Sequence, residues 1–488
     1  MRQRTTHQLI SQEIRRVLSS KLEQHFAVVG FLQKYIELYE SDYIVRRKKE
    51  MSKSKFGEKF ENGLMVIAEK VDNNKYLGAI KDAFTTFMPF IIVGSFATLF
   101  NTLVCSTTTG LAKFIPWFAN LKPAFDAINF ATLSVMAIPI VFLIALELAR
   151  KNKVPEYITG VIAVSAFIAV VPQYVTVAID ELTGTAAGLP GAAIGAQGLF
   201  IGMFLTIAVV ELFSALMKIE KIKIKMPPSV PAQIATSFNT LVPILITLLI
   251  ASIGGTLFRM GTGSYINEWI YVIIQAPLEK VFQSPAGAIA LFVVAQIFWF
   301  LGVHGNMIIT PIRNPLIASA IAANIAAAQS GGIPSQPITY GSLVSFIVVG
   351  GAGIVISLLI AIFIFSKRED HRMIAKLGIG PAMFGISEPV VFGLPLVLNM
   401  TFAIPFILSA AVATGSVLFF TSIGFLPCNI VDVPFGLPII LNAFIGHGWQ
   451  GIVVQLFIIA SCTALYSPFV LLSNKQYVRE QQKKETTV

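Results

Sequence analysis

Long stretches without a single charged side chain constrain this chain most. Residues 83–104, 127–146, 157–179, 182–210 and 314–366 contain no Asp, Glu, Lys or Arg. A helix needs about 20 apolar residues to cross about 30 Å of hydrocarbon, and each stretch is long enough. A soluble chain of 488 residues would split into domains with charged skins. Here only 13% of residues are charged and 55% are hydrophobic, against about a quarter charged in soluble domains. Helices satisfy their own backbone in lipid, so the chain reads as an all-α polytopic membrane protein.

The net charge of +10 raises the question of nucleic acid, and its placement answers it. Basic residues gather beside the apolar stretches, at 46–49, 150–153, 218–225 and 367–372 and in the tail at 475–484; residues 180–197 have none. That is the positive-inside pattern. It places both chain ends and these clusters in the cytoplasm, with the lipid bilayer rather than nucleic acid as the partner. Cys105, Cys428 and Cys462 have no paired spacing, so no disulfide framework, metal site or cofactor site is expected.

Residues 1–52 read as an N-terminal extension ahead of a second start at Met51; the alternative is a cytoplasmic or membrane-surface helix. An interfacial amphipathic helix is expected over 56–71. Residues 53–225 form a first transmembrane half, with spans near 81–104, 127–149, 156–178 and 198–217. The run Met226-Pro227-Pro228-Ser229-Val230-Pro231 removes helix donors and forces extended backbone, so 226–235 is a hinge. A second half, 236–474, has spans near 236–258, 286–303, 341–366, 397–421 and 451–473, and 475–488 is a basic cytoplasmic tail. Apolar but Gly/Pro-broken segments lie between these spans, at 302–336, 378–395 and 427–448. Broken backbone in hydrocarbon is tolerated only inside protein or beside a water-filled cavity, and paired broken segments point to a transporter binding site. We therefore expect about ten spans, with re-entrant hairpin tips at 302–315 and 378–395.

Charge is scarce in the second half. Arg313 is the one charged residue between Lys280 and Lys367, and Glu388 and Asp432 are the only two between Lys376 and Lys475. An ionisable group at membrane depth costs about 2.5–3.5 kcal/mol and is usually functional. Glu388 follows Gly385-Ile386-Ser387, and His304 sits in Gly302-Val303-His304-Gly305-Asn306, so both lie on broken backbone. A carboxylate accepts hydrogen bonds from sugar hydroxyls; an imidazole can accept, donate or take a proton. The alternatives are a core histidine satisfied by backbone and a Glu388 paired with buried Arg313 or His304. Asp432 reads as a surface or loop residue. His447 and Trp449 read equally as a second polar patch or an interfacial anchor.

The Gly-Ile-Ser-Glu-Pro at 385–389, with Val-Val-Phe-Gly-Leu-Pro after it, resembles the signature of the EIIC permeases of the phosphotransferase system. Gly-Val-His-Gly at 302–305, the proline-rich linker, Pro315-Leu316 and Gly448-Trp449 resemble the lactose/cellobiose/diacetylchitobiose branch. The resemblance covers roughly 53–475. It implies a homodimer whose first half is the scaffold and whose second half carries a disaccharide such as cellobiose, diacetylchitobiose or lactose. It makes His304, Glu388, Asn306 and Ser387 the substrate-binding set, with Glu388 or His304 as proton acceptor at the sugar 6-hydroxyl. The phosphate would come from a separate EIIB protein, fed by EIIA and the general phosphocarriers, since no cysteine here sits in the Gly/Ser/Thr-rich loop of such a donor. Whether the chain itself counts as an enzyme stays open, because the phosphoryl donor is on that partner.

Two other readings compete. A proton-coupled secondary sugar transporter needs differential cation binding, for which two acidic residues are a thin supply. A sensor without transport would have no use for broken apolar segments bearing Glu and His.

Overall fold

The computed structural model describes residues 73–485 except 108–109, 180–181 and 228, together with Val66 and Lys70. The N-terminal extension, and all but those two positions of the expected interfacial helix at 56–71, lie outside the described residues. Fourteen helices carry the fold here. They are α1 (Lys75–Phe100), α2 (Lys122–Asn129), α3 (Ala137–Asn152), α4 (Glu156–Val170), α5 (Leu199–Leu216), α6 (Ala232–Thr262) and α7 (Ile266–Gln283). The others are α8 (Pro285–Phe300), α9 (Gly305–Gln329), α10 (Tyr340–Phe365), α11 (Glu369–Met383), α12 (Glu388–Gly393), α13 (Met400–Ser422) and α14 (Leu441–Glu485). Among the described residues, 7 helices are long and apolar enough to cross a membrane, or up to 9 if each bent pair is one span; α4 is a shorter apolar helix. The all-α polytopic expectation holds.

One exception is small. The expected span at 156–178 stops at Val170, ahead of Pro172, and the chain then forms an antiparallel hairpin of β1 (Tyr174–Ile179) and β2 (Leu182–Ala187). Tyr174 lies opposite Ala187, and Ile179 opposite Leu182.

α1, α3, α4 and α5 pack on one another, and α6 lies along α4 and α5. Their contacts are built on small side chains: Ala79, Ala83, Ala145, Ala149, Ala163 and Ala166 are all buried. Small residues let helix backbones approach where lipid offers no hydrophobic drive for association. The basic ends of three helices are tied together. Lys75 at the start of α1 pairs with Glu211 of α5 at 2.7 Å, and Asn152 of α3 donates to the same carboxylate at 3.0 Å. α6 turns Leu241, Leu245, Leu249, Ile253 and Leu257 outward at every fourth position, the face expected against hydrocarbon.

A second group joins α8 to α13 and packs α10, α13 and α14 together, while α9 crosses back onto α1. Three breaks in this group position the site. Between α8 and α9 the chain turns at 301–304, with Gly302 at φ 85°. Helix resumes at Gly305 and runs on through Pro311 and Pro315, so the turn is shorter than the expected tip at 302–315. Neighbouring helices and local polar groups make such prolines tolerable within spans; here Thr310 bonds back to the Asn306 carbonyl at 2.7 Å. Between α11 and α12 the chain turns at 384–387, with Gly385 at φ 84°, inside the expected 378–395. The third break was not expected. α10 loses helical geometry at 348–354, where Gly350, Gly351 and Gly353 all have positive φ.

The segment 427–440 returns into the protein rather than over its surface. Ile439 donates to the Met383 carbonyl at 2.9 Å, and the ring of Phe435 lies against Gly385. The α11–α12 turn is thus met head-on by this segment.

Candidate functional site

The site forms where the α8–α9 turn, the α11–α12 turn and the break in α10 converge. Gly305 allows the first approach: a Cβ there would run into the Ala295 carbonyl of α8. Gly351 allows the second: it has φ 98°, and a Cβ there would collide with Ser387. Ser387 itself is buried, and Glu388, the first residue of α12, is exposed. Glu388 has no hydrogen bond or ion pair among the described residues. His304 caps the start of α9, half-buried, and interacts electrostatically with both Glu388 and Arg313.

Around His304 the polar atoms are waiting for partners. Its ring packs on Trp299 with centroids 4.3 Å apart, tilted by 47°. His304 Nδ1, Trp299 Nε1 and Asn306 Oδ1 are all buried without a hydrogen-bond partner among the described residues. Native proteins satisfy nearly all buried polar groups, so three orphans around one turn mark a place for a polar ligand. Trp299 was not singled out from sequence. Its position one short turn ahead of His304 was the available signal, because an aromatic ring beside polar groups offers the apolar face of a sugar a platform.

Arg313 does not pair with Glu388. It is buried and bonds to neutral partners, Asn314 Oδ1 at 3.1 Å and Thr310 Oγ1 at 3.3 Å. Asp432 lies on a loop, as read, but its burial corrects the surface reading. It is fully buried, not at a surface. Its Oδ1 accepts from the Gly341 backbone at 2.9 Å, and its own N–H donates to Ser95 Oγ of α1 at 3.0 Å. The Pro- and Gly-rich stretch around it signalled a loop, but the loop folds back into protein. His447 is buried with Nδ1 on the Pro427 carbonyl at 2.9 Å, whereas Trp449 is exposed; they are not one patch. No group of three or more His, Cys, Asp and Glu side chains placed to hold a metal occurs among the described residues.

The model of the phosphotransferase system EIIC family matches residues 81–410. The chain belongs to that family. It is 28% identical over 436 residues to the oligo-beta-mannoside-specific EIIC component of Bacillus subtilis (strain 168), covering 88% of this chain and 97% of that protein. It is 28% identical over 441 residues to the cellobiose-specific EIIC component of Geobacillus stearothermophilus, covering 86% and 95%. Among solved structures it superposes with TM-score 0.79 on ChbC, the IIC component of the N,N'-diacetylchitobiose-specific phosphotransferase system. That match has 29% identity and covers 86% of this chain and 98% of the other. This EIIC chain is therefore a multi-pass sugar permease component, and an EIIB partner goes with that role.

Proposed function

We propose that this EIIC component carries a disaccharide of the cellobiose, diacetylchitobiose or lactose type and presents its 6-hydroxyl to phosphorylated EIIB. The observation that carries this reading is the pairing of an unpartnered, exposed Glu388 with the orphaned polar atoms of His304, Trp299 and Asn306. Glu388 accepts a hydrogen bond from the hydroxyl, His304 or Glu388 takes its proton, and the Trp299 ring carries the sugar face. Ser387 holds the α11–α12 turn against Gly351.

Both termini and the basic clusters at 150–153, 218–225 and 367–372 face the cytoplasm of a bacterial inner membrane, where EIIB, charged by EIIA and the general phosphocarriers, delivers the phosphate. Residues 53–225 act as the scaffold and homodimer interface, and 236–474 carry the sugar. Phosphorylation traps the product, because a phosphate bearing about −1.5 to −2 charge is repelled by a site with its own carboxylate. In a strain lacking this uptake, labelled cellobiose should enter as the phosphate, in a process that needs phosphoenolpyruvate and survives a protonophore. Uptake that stops with the protonophore and yields free sugar would assign the chain to ion-coupled transport instead.

A further inference from the structure

The far end of α9 carries a row of cavities that the Glu388 site does not use. One of about 720 Å³ lies against α1 and α2. A second of about 300 Å³ shares Asn129, Ser134 and Gln329 with it. A third of about 850 Å³ shares Tyr271 and Glu279 with the second. The shared walls set the three side by side, as a broken cleft between the first group of helices and α7 and α9. Ser319, on its wall, lies about 22 Å along α9 from His304 at the rise of an α-helix, so this is a separate place. It is also on the side opposite the basic clusters, by the lack of basic residues at 180–197.

Glu279 stands between the second and third cavities and is held in an unusual way. Its Oε1 accepts from Gln275 Nε2 at 2.8 Å and from Ser319 Oγ. Both donors are buried, and Gln275 is pinned further to the Ala196 carbonyl at 3.0 Å. Among the described residues no hydrogen bond falls on Oε2 and no cation pairs with this carboxylate. A π-helical turn at Tyr271–Gln275 sets the register of these groups, a distortion that recurs at functional sites. It puts the half-buried Tyr271 on the same cavity wall as Glu279, with Gln197 lining that cavity too. The result is a fixed acceptor, an aromatic ring and amides from both sides of a cleft, over small side chains such as Ala322 and Ala326. A cation would demand several anionic ligands; one carboxylate among neutral donors suits a neutral polyol.

We propose that Glu279 and Tyr271, with Gln197 and Asn129, form a second saccharide site that receives external sugar before it reaches Glu388. It rests on the transport reading above. The test uses right-side-out vesicles of the full chain, loaded with phosphoenolpyruvate and the soluble phosphotransfer proteins, and labelled cellobiose, N,N'-diacetylchitobiose or lactose outside. Glu279→Gln should raise KM for external sugar about tenfold, as loss of a charge-assisted hydrogen bond does, at unchanged maximal rate. Sugar binding to inside-out vesicles should not change. An unchanged KM, or an equal loss of binding from the inside, overturns the second site. A parent that takes up none of cellobiose, N,N'-diacetylchitobiose and lactose overturns the transport reading itself, so the two failures are distinguishable. Should Glu279→Gln fail to fold, exposed Gln197 provides the second test. With Cys105, Cys428 and Cys462 replaced by serine, Gln197→Cys should react with an impermeant maleimide from outside, and sugar should slow that reaction several-fold. Labelling indifferent to sugar in a transporting protein overturns the site.

Discussion

Trp299 and His304 pack across the α8–α9 turn with ring centroids 4.3 Å apart, and each keeps a buried ring nitrogen without a hydrogen-bond partner among the described residues. A core histidine satisfied by backbone would not look like this. Burying a polar group without a partner costs about 1–3 kcal/mol in proteins, a cost that a bound sugar would relieve. Trp299→Phe keeps the apolar face and removes the orphaned N–H. It should fold at least as well as the parent, and sugar binding by the purified protein should weaken by about 0.5–1.5 kcal/mol, one neutral hydrogen bond.

Glu388 tests the site more sharply. Because it is exposed and unpaired among the described residues, Glu388→Gln should leave expression and thermal stability unchanged. Sugar binding should weaken by about 1.5–3 kcal/mol for a charge-assisted bond, and phosphorylation-coupled uptake should collapse. Poor folding rescued by a simultaneous change at Arg313 would restore the pairing that the structure does not contain. Normal binding together with normal uptake would remove Glu388 from the mechanism.

The spans were legible because absence of charge over twenty residues has few other meanings. What charge counting could not separate was apolar strand from apolar helix. Residues 174–187 are uncharged, yet Tyr174, Val175, Thr176 and Val177 carry the β-branched and aromatic enrichment of a strand. Glycines misled in the other direction. Gly350, Gly351 and Gly353 sit in the most hydropathic span, Tyr340–Phe365, and glycine is common in transmembrane helices, so the break there left no distinct trace. Glu388 and His304 stand out as candidates in the sequence because each combines rare polarity with a helix breaker. Asp432 has the same combination and was misread, since nothing local says that its loop turns inward to meet α1.

Asp432 therefore provides its own test. Asp432→Asn keeps an acceptor for the Gly341 N–H and removes a buried negative charge, so its thermal stability should stay within about 1 kcal/mol of the parent. Asp432→Ala strands that N–H and should cost about 1–3 kcal/mol. Size-exclusion thermal stability in detergent measures both. Two silent substitutions would return Asp432 to an exposed loop.

Gly351 separates backbone geometry from chemistry. At φ 98° an L-residue is strained, and the added Cβ meets Ser387 on the turn that carries Glu388. Gly351→Ala should abolish coupled uptake through displacement of that turn, although no polar group is lost. A chain with wild-type uptake would show that the α10 break does not position Glu388.

The start of α11 lies outside the spans and next to Arg368. Arg368 bonds Asp370 at 2.6 Å and holds its carboxyl below the usual range. His371 beside them is buried against the Phe402 ring, and burial, aided by the Arg368 charge, pushes its imidazole down to about 4. The sign follows from linkage. A ring that stays neutral in the folded protein, but titrates near 6.5 when unfolded, lets the unfolded state bind more protons as pH falls. Stability is therefore complete above about pH 6.5 and declines from there down to about 4. At pH 5.5 the loss should be about 1.4 kcal/mol relative to pH 7.5. His371→Phe keeps the ring stacking and removes the titration, so its thermal midpoint should fall less than the parent's over that interval. Equal falls in both proteins would mean that the acid sensitivity arises elsewhere and that His371 is not held neutral by its burial.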